Sequence, residues 1–119
     1  MNIDMKFVQI LKSKINNAII TDLQLEYEGS IGIDEEIIAR VNILPGEKVQ
    51  VLNYNNGSRI ETYVIPEKSG SRKVVLYGPA ARCGEIGDRL CILAYYLVDE
   101  ETASKIKPYI LELGTSNSV

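Results

Sequence analysis

The sequence predicts an all-β protein: a small closed β-barrel with one or two short helices. Three observations lead there. Apolar and polar residues alternate with period two along several stretches, which is the signature of half-buried strands. Six or seven such stretches are short and are separated by turn residues rather than by long helical patterns. A chain of 119 residues also has little material to cover exposed strand edges, a problem that closure removes.

The elements follow in order. Leu23, Leu25 and Tyr27 alternate with Gln24, Glu26 and Glu28, so a strand is expected over 19–28. Asp34 is placed to cap a short helix, with Glu35 and Glu36 at the positive end of its dipole. Ile37, Ile38 and Val41 form its apolar face, and Leu44-Pro45-Gly46 ends it. Lys48 to Tyr54 alternates through Val49 and Val51. Asn55-Asn56-Gly57 then supplies residues that accept positive φ, and Ser58 to Ile65 returns as the second strand of a hairpin. Arg72–Tyr77, Arg89–Val98 and Tyr109–Leu113 are short apolar runs that read as further strands. A second short helix is expected to start at Asp99 and stop before Pro108. Gly114 to Val119 reads as a polar tail with no assigned role.

The length fits one domain over residues 1–119, with no linker, repeat or low-complexity tract. The most restrictive count is histidine, which is absent. That excludes Ser-His-Asp and Cys-His nucleophile systems, His-ligated zinc and imidazole proton shuttles. Cys83 and Cys91 alone are too few for a structural zinc site and read as packing residues. A net charge of −3 argues against nucleic-acid binding. The chain has no run of 18 apolar residues, so no membrane span is expected, and MNIDMKFVQI lacks the features of a secretory leader. A cytoplasmic protein is therefore expected.

Between the first expected strand and the Asp34 helix lies Tyr27-Glu28-Gly29-Ser30. A Gly-Ser pair alone is an ordinary turn. It gains meaning from what accompanies it: Lys12-Ser13-Lys14-Ile15, Asn56-Gly57-Ser58-Arg59, Thr62-Tyr63, Gly70-Ser71-Arg72, Gly78 with Ala80-Ala81-Arg82, and Gly87-Asp88. In this order and spacing the chain resembles the pyruvoyl-dependent aspartate 1-decarboxylases over nearly its whole length. The resemblance implies a double-psi β-barrel assembled as a homotetramer, acting on a small amino-acid substrate without a metal. It implies self-cleavage between Gly29 and Ser30, and conversion of Ser30 into a covalent pyruvoyl cofactor. By the same resemblance Thr62 assists cleavage, Tyr63 returns a proton to the substrate carbon, and Lys14, Arg59, Gly78, Ala80 and Ala81 bind substrate. The reaction implied is L-aspartate to β-alanine and carbon dioxide, which feeds pantothenate and coenzyme A.

The residue chemistry agrees with those roles. Gly29 has no Cβ, so a hydroxyl can approach its carbonyl. Arg59 can hold a carboxylate through a bidentate fork, and Tyr63, four residues on, shares its strand face. The chain departs from the family pattern at Asn16, where a histidine is usual, at Tyr77, where asparagine is usual, and at Pro79, usually alanine. Tyr77 is expected to narrow the pocket, and Pro79 removes a backbone N–H. Two other readings stay open. One is the same pyruvoyl chemistry on a different amino acid. The other is a non-catalytic barrel kept as a binding or assembly module.

Overall fold

The computed structural model describes residues 5–119; residues 1–4, part of the stretch read for a leader, lie outside them. The longest element, β1 (Phe7–Ile19), is one the alternation did not announce. Its pairing with β7 (Arg89–Asp99) shifts register between Leu11 and Ser13 and again between Asn16 and Ala18. Each bulge adds a residue and reverses the in-out order, so no single period runs through the strand. Lys12, at the first bulge, is thereby turned inward and ion-pairs with Glu47 at 2.6 Å. Asn17, at the second, takes φ +63° and donates its amide to the Leu113 carbonyl at 2.8 Å.

The strand expected over 19–28 is shorter than its alternation suggests. Only β2 (Asp22–Gln24) pairs, in parallel with β6 (Val74–Tyr77). Beyond it the chain bends, and Leu25 and Tyr27 are exposed. β3 (Ser30–Asp34) is fully buried, parallel to β5 (Arg59–Glu67) and antiparallel to β6. β4 (Lys48–Asn53) makes the expected hairpin with β5, although Gly57 alone of the three turn residues takes a positive φ. β8 (Tyr109–Glu112) runs parallel to β1.

The all-β expectation holds: the described residues form eight strands, where six or seven were expected, and two short α-helices, α1 (Glu35–Arg40) and α2 (Glu100–Ala103). The strands form one sheet in the order β2-β6-β3-β5-β4-β7-β1-β8. Strand pairing leaves β2 and β8 at its two ends, so the ladder itself does not close. The link between β1 and β2 extends the ladders on either side of it: Ile20 donates to the Asp88 carbonyl and Thr21 to that of Val74. The tail also proves to be structural. Asn117 is fully buried; its amide donates to the carbonyls of Ile19 and Arg72, and its oxygen accepts from the Ile19 N–H. It joins the end of β1 to the start of β6. Ile15, Ile31, Ile33, Val64, Leu76, Leu90 and Ile92 fill the core inside the sheet. No helix among the described residues is long and apolar enough to cross a membrane.

Asp34 does more than cap α1. Its fully buried carboxylate accepts from the backbone N–H groups of Glu36, Gly70 and Arg72 and faces the Arg72 guanidinium. Asp34→Ala would leave three backbone N–H donors and the Arg72 guanidinium without their buried acceptor and should cost about 3–5 kcal/mol in urea unfolding. Burial pushes this carboxyl's pKa up, but the three N–H donors and the Arg72 charge outweigh it and leave it below 3.8. A lowered folded pKa means the stabilisation is present above the unfolded value and is lost as pH falls through the folded one. Asp34→Asn should therefore flatten part of the fall in urea midpoint at acid pH; an unchanged acid limb would count against this role.

Candidate functional site

The Gly29–Ser30 junction sits where an exposed bend enters the buried strand β3. Gly78 and Pro79, which open a 3-10 turn over Gly78–Cys83, back onto it. Gly78 has φ +63°, and a Cβ built there would meet the Tyr27 carbonyl oxygen, the Gly29 nitrogen at 2.8 Å and the Glu28 carbonyl carbon at 2.9 Å. Pro79 lies against Gly29, its Cδ 3.5 Å from where a Cβ would stand. Gly29, Thr62, Pro79, Ala80 and Cys83 line one cleft of about 250 Å³. Three residues that the sequence nominates, Gly29, Thr62 and Ala80, therefore meet in one place. Ala81 lines a different cleft, of about 590 Å³.

Ser30 is fully buried, and its Oγ is the one buried side-chain polar atom among the described residues with no hydrogen-bond partner. Buried hydroxyls are almost always satisfied, so an orphan adjoining the Gly29 carbonyl is an exception that calls for a physical reason. Its cross-strand partner on β6 is Tyr77, which puts both side chains on one face. The Ile31–Val64 pairing sets Tyr63 of β5 at the level of Ser30.

Tyr77 does not line the Gly29 cleft, so the narrowing expected of it is not where its bulk goes. Its ring packs against that of Tyr27 at a tilt of 44°, with centroids 4.7 Å apart. Its hydroxyl donates to Glu67 at 2.7 Å. Burial, then the bond to Glu67 and its charge, push the Tyr77 phenol up to about 12, so it remains a protonated donor at neutral pH. Glu67 carries no sequence signal, because a charged residue at a strand end ordinarily reads as solvated.

The remaining nominated residues lie apart. Arg59, Glu61 and Tyr63 point to the exposed face of β5, whereas Thr62 points with Val64 to the other. Arg59 donates to Gln50 at 3.1 Å. Across the sheet its row runs through Leu52 and Cys91 to Asn16, three strand spacings or about 14 Å away. Lys14, half-buried, is two residues from Asn16 on the same face. Asn16 accepts from the Tyr54 hydroxyl at 2.7 Å. Burial pushes the Cys91 thiol up, with the Lys14 charge opposing it. A single chain thus does not collect Lys14, Arg59, Tyr63 and Ser30 into one cavity among the described residues.

These features define an all-β protein with an unsatisfied seryl hydroxyl buried at a tightly backed glycine–serine junction. A family profile described as aspartate decarboxylase matches residues 5–119, and the chain belongs to that family. It is 47% identical over 112 residues to an aspartate 1-decarboxylase of Desulfitobacterium hafniense, covering 94% of this chain and 88% of that protein. It is 52% identical over 106 residues to an aspartate 1-decarboxylase of Coxiella burnetii, covering 89% and 95% respectively. A third such protein, from Chlorobium limicola, is 47% identical over 111 residues, covering 93% and 87%.

Proposed function

We propose that this chain is a precursor that cuts itself between Gly29 and Ser30 and then acts as an aspartate 1-decarboxylase, converting L-aspartate to β-alanine and carbon dioxide. The β-alanine would serve pantothenate and coenzyme A synthesis in the cytoplasm. The observation that carries this reading is the unpartnered, fully buried Ser30 Oγ. A hydroxyl with no competing bond is free to attack the Gly29 carbonyl. The attack forms an ester and breaks the Gly29–Ser30 amide, with the proton passing to the freed Ser30 nitrogen. Thr62 stands in the cleft with Gly29 and can donate to the oxyanion that forms there. Elimination then releases the Gly29 carboxylate, and hydrolysis releases ammonia and leaves the pyruvoyl group at position 30. That group supplies the electron sink that decarboxylation of an amino acid needs.

The other residues bind and direct. Arg59 holds a substrate carboxylate by its fork, and Lys14 adds a second positive charge. Tyr63 donates a proton to the carbon that loses carbon dioxide. Gly78, Ala80 and Ala81 supply backbone walls. Because Lys14 lies strands away from Arg59, we infer that neighbouring subunits complete the site. A homotetramer of double-psi barrels provides such neighbours. Exposed apolar side chains on the β1–β7 ribbon, Phe7 and Leu97 among them, agree with an assembled protein.

Intact mass under denaturing conditions tests the reading. The protein should separate into residues 1–29 and residues 30–119, the latter bearing a ketone in place of the Ser30 amine. Carbon dioxide release should be greatest with L-aspartate. A chain that stays whole on prolonged incubation overturns the proposal. Better turnover of another amino acid overturns the substrate and favours the reading in which Pro79 reshapes the cleft.

A further inference from the structure

Self-cleavage needs the attacked carbonyl to be held still, yet the segment that carries it has few anchors. β2 ends at Gln24, and residues 25–28 are exposed with only a local Tyr27-to-Leu25 backbone bond. Downstream, β3 fixes Ser30 firmly; upstream, the tilted Tyr27–Tyr77 ring contact and the backing by Gly78 and Pro79 hold the segment. The Tyr77 ring is itself held at its far end by Glu67. Gly32 makes that possible: a Cβ there would meet the Glu67 carboxylate and lie 2.8 Å from Tyr77 Cε2. Gly32, two residues beyond Ser30, therefore lies under the ring and the carboxylate on the face to which Ser30 points.

We propose that Tyr27, Tyr77 and Glu67 form a clamp that positions the Gly29 carbonyl for attack by Ser30, with Tyr77 as its central positioning residue. The inference rests on the self-cleavage reading above and deepens it. Tyr77 makes no hydrogen bond to the attacking oxygen and does not line the cleft beside Thr62. It acts by fixing Tyr27, two residues ahead of the bond to be cut, while β6 holds its own backbone against Ser30. Misplacing reacting atoms by about 1 Å costs on the order of 10²-fold in rate.

The test follows cleavage of freshly isolated full chain by intact mass, with thermal unfolding of each variant as a check on folding. Tyr27→Ala and Tyr77→Ala should each cut about 10²-fold more slowly than the native chain, and the double variant no more slowly than either alone, because the two act through one contact. Tyr27→Phe, which keeps the ring, should restore the native rate. Tyr77→Phe keeps the ring and removes only the bond to Glu67, so it should fold and cut about tenfold more slowly; it carries the test if Tyr77→Ala does not fold. Native rates in Tyr27→Ala or Tyr77→Phe, with the native chain cutting normally, overturn the clamp alone. Failure of the native chain itself to cut overturns both the clamp and the self-cleavage reading.

Discussion

Ser30→Ala should yield a chain that never cuts, makes no pyruvoyl group and releases carbon dioxide from aspartate no faster than background. It should also be at least as stable as the native precursor isolated before processing. The second expectation follows from the same observation as the first. A buried hydroxyl without a partner has surrendered its water bonds for nothing, a loss of about 1–3 kcal/mol. Alanine removes that loss without opening a large cavity, so the urea midpoint should hold or rise. Ser13 is the internal control. It is equally buried, but its hydroxyl donates to the Val41 carbonyl. Ser13→Ala should lose about 1 kcal/mol and leave cleavage intact. If Ser30→Ala instead loses as much stability as Ser13→Ala, the Ser30 hydroxyl is satisfied in the folded precursor and is not held free for attack.

This contrast also shows what the residues disclose by themselves. Residue type does not separate Ser13 from Ser30; the difference is that Val41, at the end of α1, brings a carbonyl to Ser13. The α1 cap was legible because Asp34 and the two acids after it act within one turn. The β4–β5 hairpin was legible because its alternation and its turn are contiguous. β1 was not, because bulges at Lys12 and Asn17 reverse the pattern that would have revealed it. Leu25 and Tyr27 misled in the opposite sense. They keep strand spacing, but Tyr27 finds its apolar contact with Tyr77, a residue fifty positions on, and not in a ladder. Asn117 was invisible because a buried amide that bonds three backbone groups has the hydropathy of a solvated one. At the site, the strand period put Arg59 and Tyr63 on one face correctly, and it equally required that Thr62 point away. The family resemblance placed all of them in one site; the geometry of one chain divides them, which is the physical ground for expecting subunits to complete it.

Gly78→Ala should have the second large effect, and it distinguishes strain from contact. The substitution places a side chain at φ +63°, which costs about 1–2 kcal/mol, and drives its methyl into the backbone of residues 27–29. Overpacking against groups that cannot rotate away costs about 1–3 kcal/mol more. The combined loss of roughly 2–5 kcal/mol should appear as a lower urea midpoint. Because the displaced atoms include the Gly29 nitrogen and the carbonyl before it, the scissile carbonyl moves with them. Cleavage should slow by about 10²-fold or more. Gly46→Ala separates the two causes, since Gly46 also has a positive φ, +85°, but a Cβ there meets nothing within 4 Å. It should lose only about 1 kcal/mol and cut at the native rate. If Gly78→Ala is destabilised yet also cuts at the native rate, the close approach of the 3-10 turn to the junction supports the fold alone, and the positioning of the Gly29 carbonyl must come from β3.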